Sequence, residues 1–248
     1  MINYKLPKNF NLNYFEEVDS TMLKLKKLAS EGAKIGTIVS AKKQTQGRGR
    51  HGREWISPEG NLYFSFLRRA EEYNSGKIFA PVFITSIALA KTILIFSSSI
   101  DLKLKWPNDV LINNSKVAGI LIESFKNNQN IKLLNIGVGI NIVSNPSDTL
   151  YPSTNLLKEG ISISSEEVLK CFFNCLNLYE NILVNKGIGE LFKIWNEYTY
   201  KIGTKISVKL GENNIQGAYN GIDEKGSLLL RKNDGKVIKI VAGEVFVL

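Results

Sequence analysis

The segment from Ile78 to Ile100, IFAPVFITSIALAKTILIFSSSI, is almost continuously apolar and carries one charged side chain, Lys91. It is long enough to cross a bilayer, which takes about 20 apolar residues. A lysine near the centre of such a span costs about 2.5–3.5 kcal/mol, however, and that cost favours a helix enclosed by protein. The segment is therefore expected to form a buried helix and not a membrane span.

The chain is long enough to build a sizeable core. Its 248 residues exceed a typical single domain of about 100–200 residues, which favours one large domain with a small second one. Lysine and arginine total 32 against 23 acidic residues, and the formal charge of +9 favours anionic partners. Charge alone does not choose among nucleotides, nucleic acids and acidic proteins.

Two features bear on the cellular compartment. The stretch Met1–Lys8 has no apolar run of the kind that a secretory signal needs. Cys171 and Cys175 follow each other at helical spacing, where a disulfide along one helix face is poorly placed, and a single histidine is present to assist a metal or redox role. Both cysteines are predicted to be buried thiols, which fits a cytoplasmic protein.

Strand and helix patterns follow one another as far as about Tyr200. A short strand precedes a helix that opens near Asp19, Ser20 and Thr21, whose side-chain oxygens suit a helix N-cap. The other segments with strand character are 36–43, 61–69, 102–125 (with a turn at Pro107–Asn108 and a hairpin tip at Asn113–Asn114) and 131–143, and two further helices are predicted from Ser164 to about Asn185 and from Gly189 to about Tyr200.

From Lys205 the pattern changes to short strands separated by glycine, asparagine or aspartate. That pattern is typical of a small β-barrel or sandwich. The predicted organisation is a large domain over residues 1–202 and a small β domain over residues 203–248.

The loop from Gln44 to Trp55, QTQGRGRHGREW, interleaves glycine with basic residues and is named here the arginine loop. Its glycines, at 47, 49 and 52, let backbone amides approach a ligand, and its arginines, at 48, 50 and 53, supply charge that suits a phosphate. The loop by itself is equally compatible with a solvated turn or a nonspecific nucleic-acid contact, and it has no Walker or Rossmann spacing. His51, within it, is predicted to be a spacer and not a general base.

A second polar cluster lies in KWPNDVLINNSKVAGI, where Lys105, Asn108, Asp109 and Lys116 punctuate apolar strands. Two lysines and a loop can share one polyanion. The alternative is that each lysine is a surface residue on an edge strand, where it resists aggregation.

The stretch NIGVGIN places Gly137 and Gly139 inside a predicted strand. Glycine weakens strand packing and usually marks a bulge or the close approach of a ligand. In the second case Asn141 could read the edge of a base.

In order along the chain, VDST (18–21), QTQGRGRHGREW (44–55), GNLYFS (60–65), KWPNDVLINNSKVAGILIE (105–123) and NIGVGIN (135–141), followed by a small β domain, resemble the biotin protein ligases, also called biotin–acetyl-CoA-carboxylase ligases. The resemblance covers nearly the whole chain. The combined spacing of GRGRHGREW and KWPND to KVAGI is far more specific than either motif alone.

The resemblance implies an α+β fold: a catalytic domain with a mixed β-sheet flanked by helices, related to class II aminoacyl-tRNA synthetases, and then a small SH3-like β-barrel. It implies two chemical steps. Biotin and ATP give biotinyl-5′-AMP and pyrophosphate, and a lysine of a biotin carboxyl carrier protein then takes the biotinyl group as an amide. Mg²⁺ is expected to assist on the ATP phosphates, and no metal-binding residues of the protein are assigned.

Carried over by position, the resemblance assigns roles to single residues. Lys116, Arg48 and Arg50 are the expected catalytic groups, which offset the repulsion between carboxylate and α-phosphate. The residues expected to bind biotin are Ser20, Thr21 and Gln44 (on the ureido ring), Gly47, Arg48, Gly49, Arg50, Lys116 and Gly119. The residues expected to bind the nucleotide are Arg53, Trp55 (over the adenine), Lys105, Asn108 and Asn141. The arginine loop is expected to be mobile when empty and to fold over the adenylate, where it excludes water.

The chain departs from the family at Met22, where asparagine often follows the Ser-Thr pair, and at His51, a commonly basic or variable position. Because VDST begins at residue 18, no helix-turn-helix domain is expected before it, and the chain should be a ligase without repressor activity or specific DNA binding. The resemblance leaves a monomer and a homodimer open.

Two rival functions are weighed against this one. A lipoate protein ligase has similar chemistry, but its usual triple-glycine ligand loop is missing here. A nucleic-acid-binding module would use the arginine loop and the +9 charge, yet it leaves WPND and the Ser20–Thr21 pair unexplained.

Overall fold

A seven-stranded mixed sheet forms the centre of the protein in the computed structural model, which describes residues 5–73, 79–147, 149 and 151–248. Its strands are β1 (Asn11–Val18), β2 (Thr37–Gln44), β3 (Leu62–Arg69), β4 (Leu102–Lys105), β5 (Asp109–Ile112), β6 (Ser115–Lys126) and β7 (Lys132–Ile140). The spatial order is β1-β2-β3-β7-β6-β5-β4. Only the β1–β2 pair is parallel among these described strands, so the predicted mixed sheet is confirmed.

Four helices accompany the two sheets. They are α1 (Thr21–Ser30), α2 (Ala80–Phe96), α3 (Ser165–Lys186) and α4 (Ile188–Glu197). Helix α4 ends at Glu197, three residues before the predicted end at Tyr200, and the backbone of the next residue, Tyr198, is no longer helical. Ser164 caps α3 in a capping box with Glu167.

Helix α2 corresponds to the long apolar segment, whose first residue, Ile78, lies outside the described residues. It packs against α3, α4 and the strands β4 to β6, so apolar side chains all around it are buried. The Lys91 ammonium lies over the ring of Tyr198, 4.7 Å from the ring centroid, and donates to the hydroxyl of the same residue. The charged group therefore lies outside the apolar core. None of the described helices combines the length and apolarity that a membrane crossing requires. Cys171 and Cys175 lie buried on α3, as predicted.

A separate five-stranded antiparallel sheet forms the C-terminal part. Its strands are β8 (Lys205–Leu210), β9 (Asn213–Ile222), β10 (Leu228–Arg231), β11 (Val237–Ile240) and β12 (Glu244–Val247), in the order β11-β10-β9-β8-β12. The predicted barrel is not closed: β11 and β12 are the two edges, and each has only four residues. Each of these short edge strands pairs with one neighbouring strand, and the two do not pair with each other to close the barrel.

The C-terminal sheet packs beside the β4–β5 turn of the large sheet. The indole Nε1 of Trp106 donates to the carbonyl of Gly226 at 3.0 Å. Tyr151 stacks on Phe246 with centroids 4.5 Å apart, and its hydroxyl donates to the carbonyl of Val245. These contacts bring the start of β12 to the same place as the WPND turn. The predicted division at residues 202 and 203 stays a prediction.

Candidate active site

A cavity of about 400 Å³ opens where α1 begins, between the arginine loop, the β4–β5 turn, the middle of β6 and β7 and the start of β12. That volume lies within the range of about 300–1,000 Å³ typical of small-molecule sites. The predicted site residues that line it are Ser20, Thr21, Gln44, Arg48, Gly49, Arg50, Arg53, Trp55, Lys105, Asn108, Lys116, Gly119 and Asn141. Residues that are distant in the sequence therefore meet in one place.

Gly47 is a predicted site residue that does not line the cavity. A Cβ built on it would lie 2.2 Å from the carbonyl oxygen of Trp55 and 2.5 Å from the hydroxyl of Ser57. Glycine is needed here because the chain of the loop passes close to itself. Its expected contact with biotin has no support in this geometry.

Glycines form the floor of the cavity. Gly119 of β6 and Gly139 of β7 are partners in an unbroken register, so NIGVGIN marks close approach and not a bulge. The indole of Trp55 rests on both glycines: a Cβ on Gly139 would lie 2.5 Å from its ring, and one on Gly119 would lie 3.0 Å from it. Met22 stands on the neighbouring Gly137 in the same way, with its sulfur 2.8 Å from a Cβ there. The glycines thus admit two large side chains onto the sheet surface.

One end of the cavity is a small hydrogen-bonding group at the start of α1. Gln44 accepts from the backbone N–H of Thr21 at 2.8 Å and donates to the Ser57 hydroxyl at 2.9 Å, and the Thr21 hydroxyl bonds that of Ser65 at 2.7 Å. Ser20 occupies the N-cap position, but its hydroxyl makes no cap bond. Among the described residues this buried oxygen has no hydrogen-bond partner. A buried polar group without a partner is costly, so Ser20 Oγ is an atom that a ligand could satisfy, and the Trp55 indole Nε1, also buried without a partner at the cavity, is another.

The arginine loop is folded back on itself above the glycine floor. Gly49 N–H donates to Arg53 at 2.7 Å and Trp55 N–H to Gly47 at 2.9 Å, which makes the loop a compact hairpin. His51 lies exposed at its tip with a φ of 56°. The loop therefore has internal hydrogen bonds, and its expected mobility stays a prediction.

Each arginine of the loop pairs with a different segment of the chain. The pairs are Arg48 with Glu123 (2.8 Å), Arg50 with Asn108 (2.9 Å) and Arg53 with Glu244 of β12. Burial lowers the pKa of the Arg50 guanidinium, while the negative charge of Asp109 opposes that change. Three cationic side chains are thus held around one opening.

Two lysines converge on Asp109, at the end of the WPND turn. Lys116 Nζ lies 2.7 Å from one carboxylate oxygen, and Lys105 Nζ lies 3.8 Å from the other. Lys105 is 4 % exposed and lies over the ring of Tyr151. Burial lowers the pKa of Lys105 to about 7, and the charge of Asp109 counteracts this only in part. Neither lysine is a surface residue that protects an edge strand: Lys105 is buried, and Lys116 is on an inner strand.

The two predicted nucleotide asparagines are both fixed by the backbone. Asn108 donates to the carbonyl of Ile120 at 2.8 Å, and its side-chain oxygen accepts from Arg50. Asn141, 3 % exposed, donates to the carbonyl of Thr154 at 3.0 Å. The amide groups face the cavity from opposite sides of β6 and cannot rotate freely.

Several residues of the site were not predicted from the sequence. They are Asp109, Ser57, Glu123, Tyr151 and Glu244. Asp109 could have been found, because it lies in the WPND motif between the two lysines. The other four have no local signal, since each contributes one polar or aromatic group from an ordinary strand or loop sequence.

Comparisons with known proteins agree with this geometry. Residues 14–141 match the model of the biotin/lipoate A/B protein ligase family, and residues 201–248 match the biotin protein ligase C-terminal domain. The biotin–acetyl-CoA-carboxylase ligase of Paracoccus denitrificans is 32% identical over 237 residues, which cover 92% of this chain and 97% of that protein. The bifunctional ligase/repressor BirA of Bacillus subtilis is 31% identical over 242 residues, which cover 95% of this chain and 73% of that protein.

Among solved structures, the biotin protein ligase from Aquifex aeolicus in complex with biotin and ATP superimposes with a TM-score of 0.83 at 31% identity, and the match covers 96% of this chain and 98% of the other. The family model, the relatives and this structure agree with the motifs and with the fold. The chain belongs to the biotin/lipoate A/B protein ligase family, and within it to the biotin protein ligases.

Proposed function

We propose that this chain activates biotin with ATP to biotinyl-5′-AMP and then transfers biotin to a lysine of a biotin carboxyl carrier protein, which is the reaction of its family. The observation that carries the proposal is one cavity with two different ends. At one end stands a neutral hydrogen-bonding group with a partnerless Ser20 hydroxyl. At the other end stand Lys116 and the arginines, which suit anions.

The neutral end suits the ureido ring of biotin, which carries no charge and must be recognised by orientation. Ser20 Oγ can donate to the ring carbonyl or accept from a ring N–H, because a hydroxyl does both. Gln44 is locked between Thr21 and Ser57, so its amide holds a fixed direction. The rigid partners lower the entropy cost of binding.

The cationic end suits the reacting groups. In the first step the biotin carboxylate oxygen attacks the α-phosphorus of ATP and pyrophosphate leaves, and these two anions repel each other as they meet. Lys116, Arg48 and Arg50 offset that repulsion and stabilise the charge that builds on the phosphorus in the transition state. In the second step the carrier amine attacks the acyl carbon, AMP leaves, and the amine loses a proton.

Mg²⁺ is proposed to enter with the ATP phosphates, whose charge it neutralises. Among the described residues no group of three or more His, Cys, Asp or Glu side chains is arranged to hold a metal ion. The nearest carboxylate, Asp109, is engaged by Lys116 and Lys105. Mg²⁺ commonly keeps several waters and uses substrate phosphates as ligands, which is compatible with so few protein oxygens.

The nucleotide is proposed to lie against Asn108 and Asn141, with Lys105 and Arg53 near its phosphates and Trp55 over its base. All five line the same cavity. The contact of Arg53 with Glu244 joins the arginine loop to the C-terminal sheet. We propose that residues 203–248 fold as a small domain that closes this side of the site.

The expected partner is a carrier domain, and the positive charge of the chain suits an acidic one. The rival nucleic-acid function loses support because the three arginines of the loop line the same cavity as Ser20 and Gln44. The expectations of no specific DNA partner, of a cytoplasmic location and of a monomer or homodimer stay predictions.

The proposal is tested by biotin-dependent exchange of pyrophosphate into ATP, followed by transfer to a purified carrier domain. Exchange should require biotin, and lipoate should not replace it. Equal exchange with lipoate would reject biotin specificity, and tight, salt-sensitive DNA binding with no exchange would favour the nucleic-acid function. Arg50→Ala should release adenylate into solution, since Arg50 joins the loop to Asn108; unaltered retention would contradict the proposed role of the loop.

A further inference from the structure

The GNLYFS stretch contains a buried side chain, Asn61, that does not line the cavity and is 5% exposed. Its oxygen accepts from three successive backbone N–H groups, those of Ile142 (2.8 Å), Val143 (3.0 Å) and Ser144 (3.2 Å). Its nitrogen donates to the carbonyl of Ser144 at 3.0 Å and to the hydroxyl of the same residue at 3.2 Å. One side-chain amide therefore fixes three consecutive residues of another segment.

Those three residues directly follow Asn141, the first residue after β7. The backbone N–H of Asn141 is held by the carbonyl of Val117 at 2.8 Å, and its own carbonyl accepts from Leu156 at 3.0 Å. These two backbone bonds hold the peptide on each side of Asn141. Beyond it, the carbonyl of Ile142 accepts from Leu157 at 2.9 Å, and Asn61 holds the N–H groups of the turn that follows.

Described residues of the segment after Asn141 line one side of the cavity, among them Pro146, Thr149, Tyr151 and Ser153. Asn145 closes the segment on itself by donating to the carbonyl of Ser153 at 3.1 Å. The wall is therefore a closed loop that is anchored to the large sheet at its first turn. Removal of the Asn61 oxygen would leave the buried N–H of Ile142 and the part-buried N–H groups of Val143 and Ser144 without this acceptor, and the turn would have to rearrange or take up water to satisfy them.

We propose that Asn61 is a positioning residue for nucleotide binding: it sets the turn at residues 142–144 and thereby the direction of Asn141 and of the wall behind it. The proposal rests on the proposed function, which puts the nucleotide against Asn141. Asn61 itself touches no substrate. Its loss should weaken the affinity for ATP and leave the affinity for biotin largely intact, since Ser20 and Gln44 are held by other residues.

The test measures binding without turnover, by calorimetry with biotin and with α,β-methylene ATP, which cannot release pyrophosphate. For Asn61→Ala, nucleotide affinity should fall by about tenfold or more and biotin affinity by less than about twofold. Asn61→Asp should bind the nucleotide more tightly than Asn61→Ala, because its carboxylate still accepts from the three N–H groups. The matched control is Asn135→Ala, since Asn135 is also buried but donates to the carbonyl of Met22 at the biotin end.

Equal losses for nucleotide and biotin in Asn61→Ala, no advantage of Asn61→Asp, or the same nucleotide loss in Asn135→Ala would overturn the proposal. If Asn61→Ala does not fold, hydrogen exchange of the wild-type protein decides: the nucleotide should slow exchange at residues 142–144, and biotin alone should not. A missing nucleotide effect there overturns the proposal, as does a wild-type protein that binds no nucleotide. Missing pyrophosphate exchange in a protein that binds both ligands rejects only the proposed function.

Discussion

Removal of the Lys116 ammonium should slow adenylate formation by about 10²–10³-fold. Lys116 Nζ lies 2.7 Å from Asp109 and faces the cavity, so it can approach an anion that enters. A pair of unit charges 4 Å apart is worth about 4 kcal/mol at an effective dielectric constant of 20, and each 1.36 kcal/mol is tenfold in rate. That gives an upper bound of about 10³-fold. Because the side chain is 27% exposed, partial screening brings the expected loss towards 10²-fold.

The measurement is a single-turnover experiment on Lys116→Ala in which biotinyl-5′-AMP is quantified after quenching. The fold should persist, because Asp109 keeps Lys105 at 3.8 Å as a counter-charge, and the thermal midpoint of unfolding checks this. Lys103→Ala is the matched control: Lys103 is on β4 and pairs with the exposed Asp101 away from the cavity. A wild-type single-turnover rate in Lys116→Ala, or equal slowing in the control, would refute the reasoning.

Three further predictions concern the other parts of the site. Ser20→Ala should leave the ligand-free protein as stable as the wild type or more stable, because it removes a buried hydroxyl without a partner. The same change should weaken biotin binding by about 1–3 kcal/mol, measured by calorimetry. A large loss of stability would contradict this prediction. Gly139→Ala should displace the Trp55 indole, which lies 2.5 Å from the new Cβ, and should lower the rate of pyrophosphate exchange into ATP. The control Gly189→Ala, which places its Cβ in open space, should leave that rate unchanged. Equal rates in the two variants would contradict this prediction. The pKa of Lys105 is lowered to about 7, and phosphate favours its protonated form, so ATP affinity should fall as pH rises from 7 to 9, by at most about tenfold per pH unit. Lys105→Arg should flatten this pH profile. A flat profile in the wild-type protein would contradict the prediction.

The same lowered pKa fixes the sign of a stability effect in the protein without ATP. Between pH 7 and the ordinary lysine pKa of 10.5, Lys105 is protonated in a larger fraction of unfolded chains than of folded chains. Stability rises with pH wherever the unfolded state binds more protons. Lys105 therefore contributes increasing stability as pH rises through that range, while ATP affinity moves in the opposite direction.

The sequence predicted the elements that have strong local rules. The buried helix α2 followed from its apolar length and from Lys91, and the hairpin tip at Asn113 and Asn114 followed from residues that tolerate the positive φ observed there. Closure of the C-terminal sheet was predicted wrongly, because closure depends on how many residues the edge strands β11 and β12 pair, and turn spacing does not report that. Boundaries such as the end of α4 were off by a few residues, as frayed helix ends often are.

The residues of the site divide in the same way, into those that a local motif predicts and those that it does not. Motifs identified the cationic groups, because arginine and lysine among glycines stand out in any strand or loop. They did not identify the acids that hold those groups, since nothing in the strand sequences around Glu123 and Glu244 distinguishes these partly buried glutamates from exposed ones. Only the pairing of β6 with β7 and of β12 with β8 brings these carboxylates to the arginine loop.

These acids have a physical consequence for how the site is filled. The cations of the arginine loop repel one another, and the ion pairs of Arg48 with Glu123 and of Arg53 with Glu244 offset that repulsion. Both pairs are partly exposed to water, so each is weak and is exchanged for a phosphate at little cost. On the proposed function, we expect a phosphate in the cavity to replace Glu123 and Glu244 as the partner of these arginines.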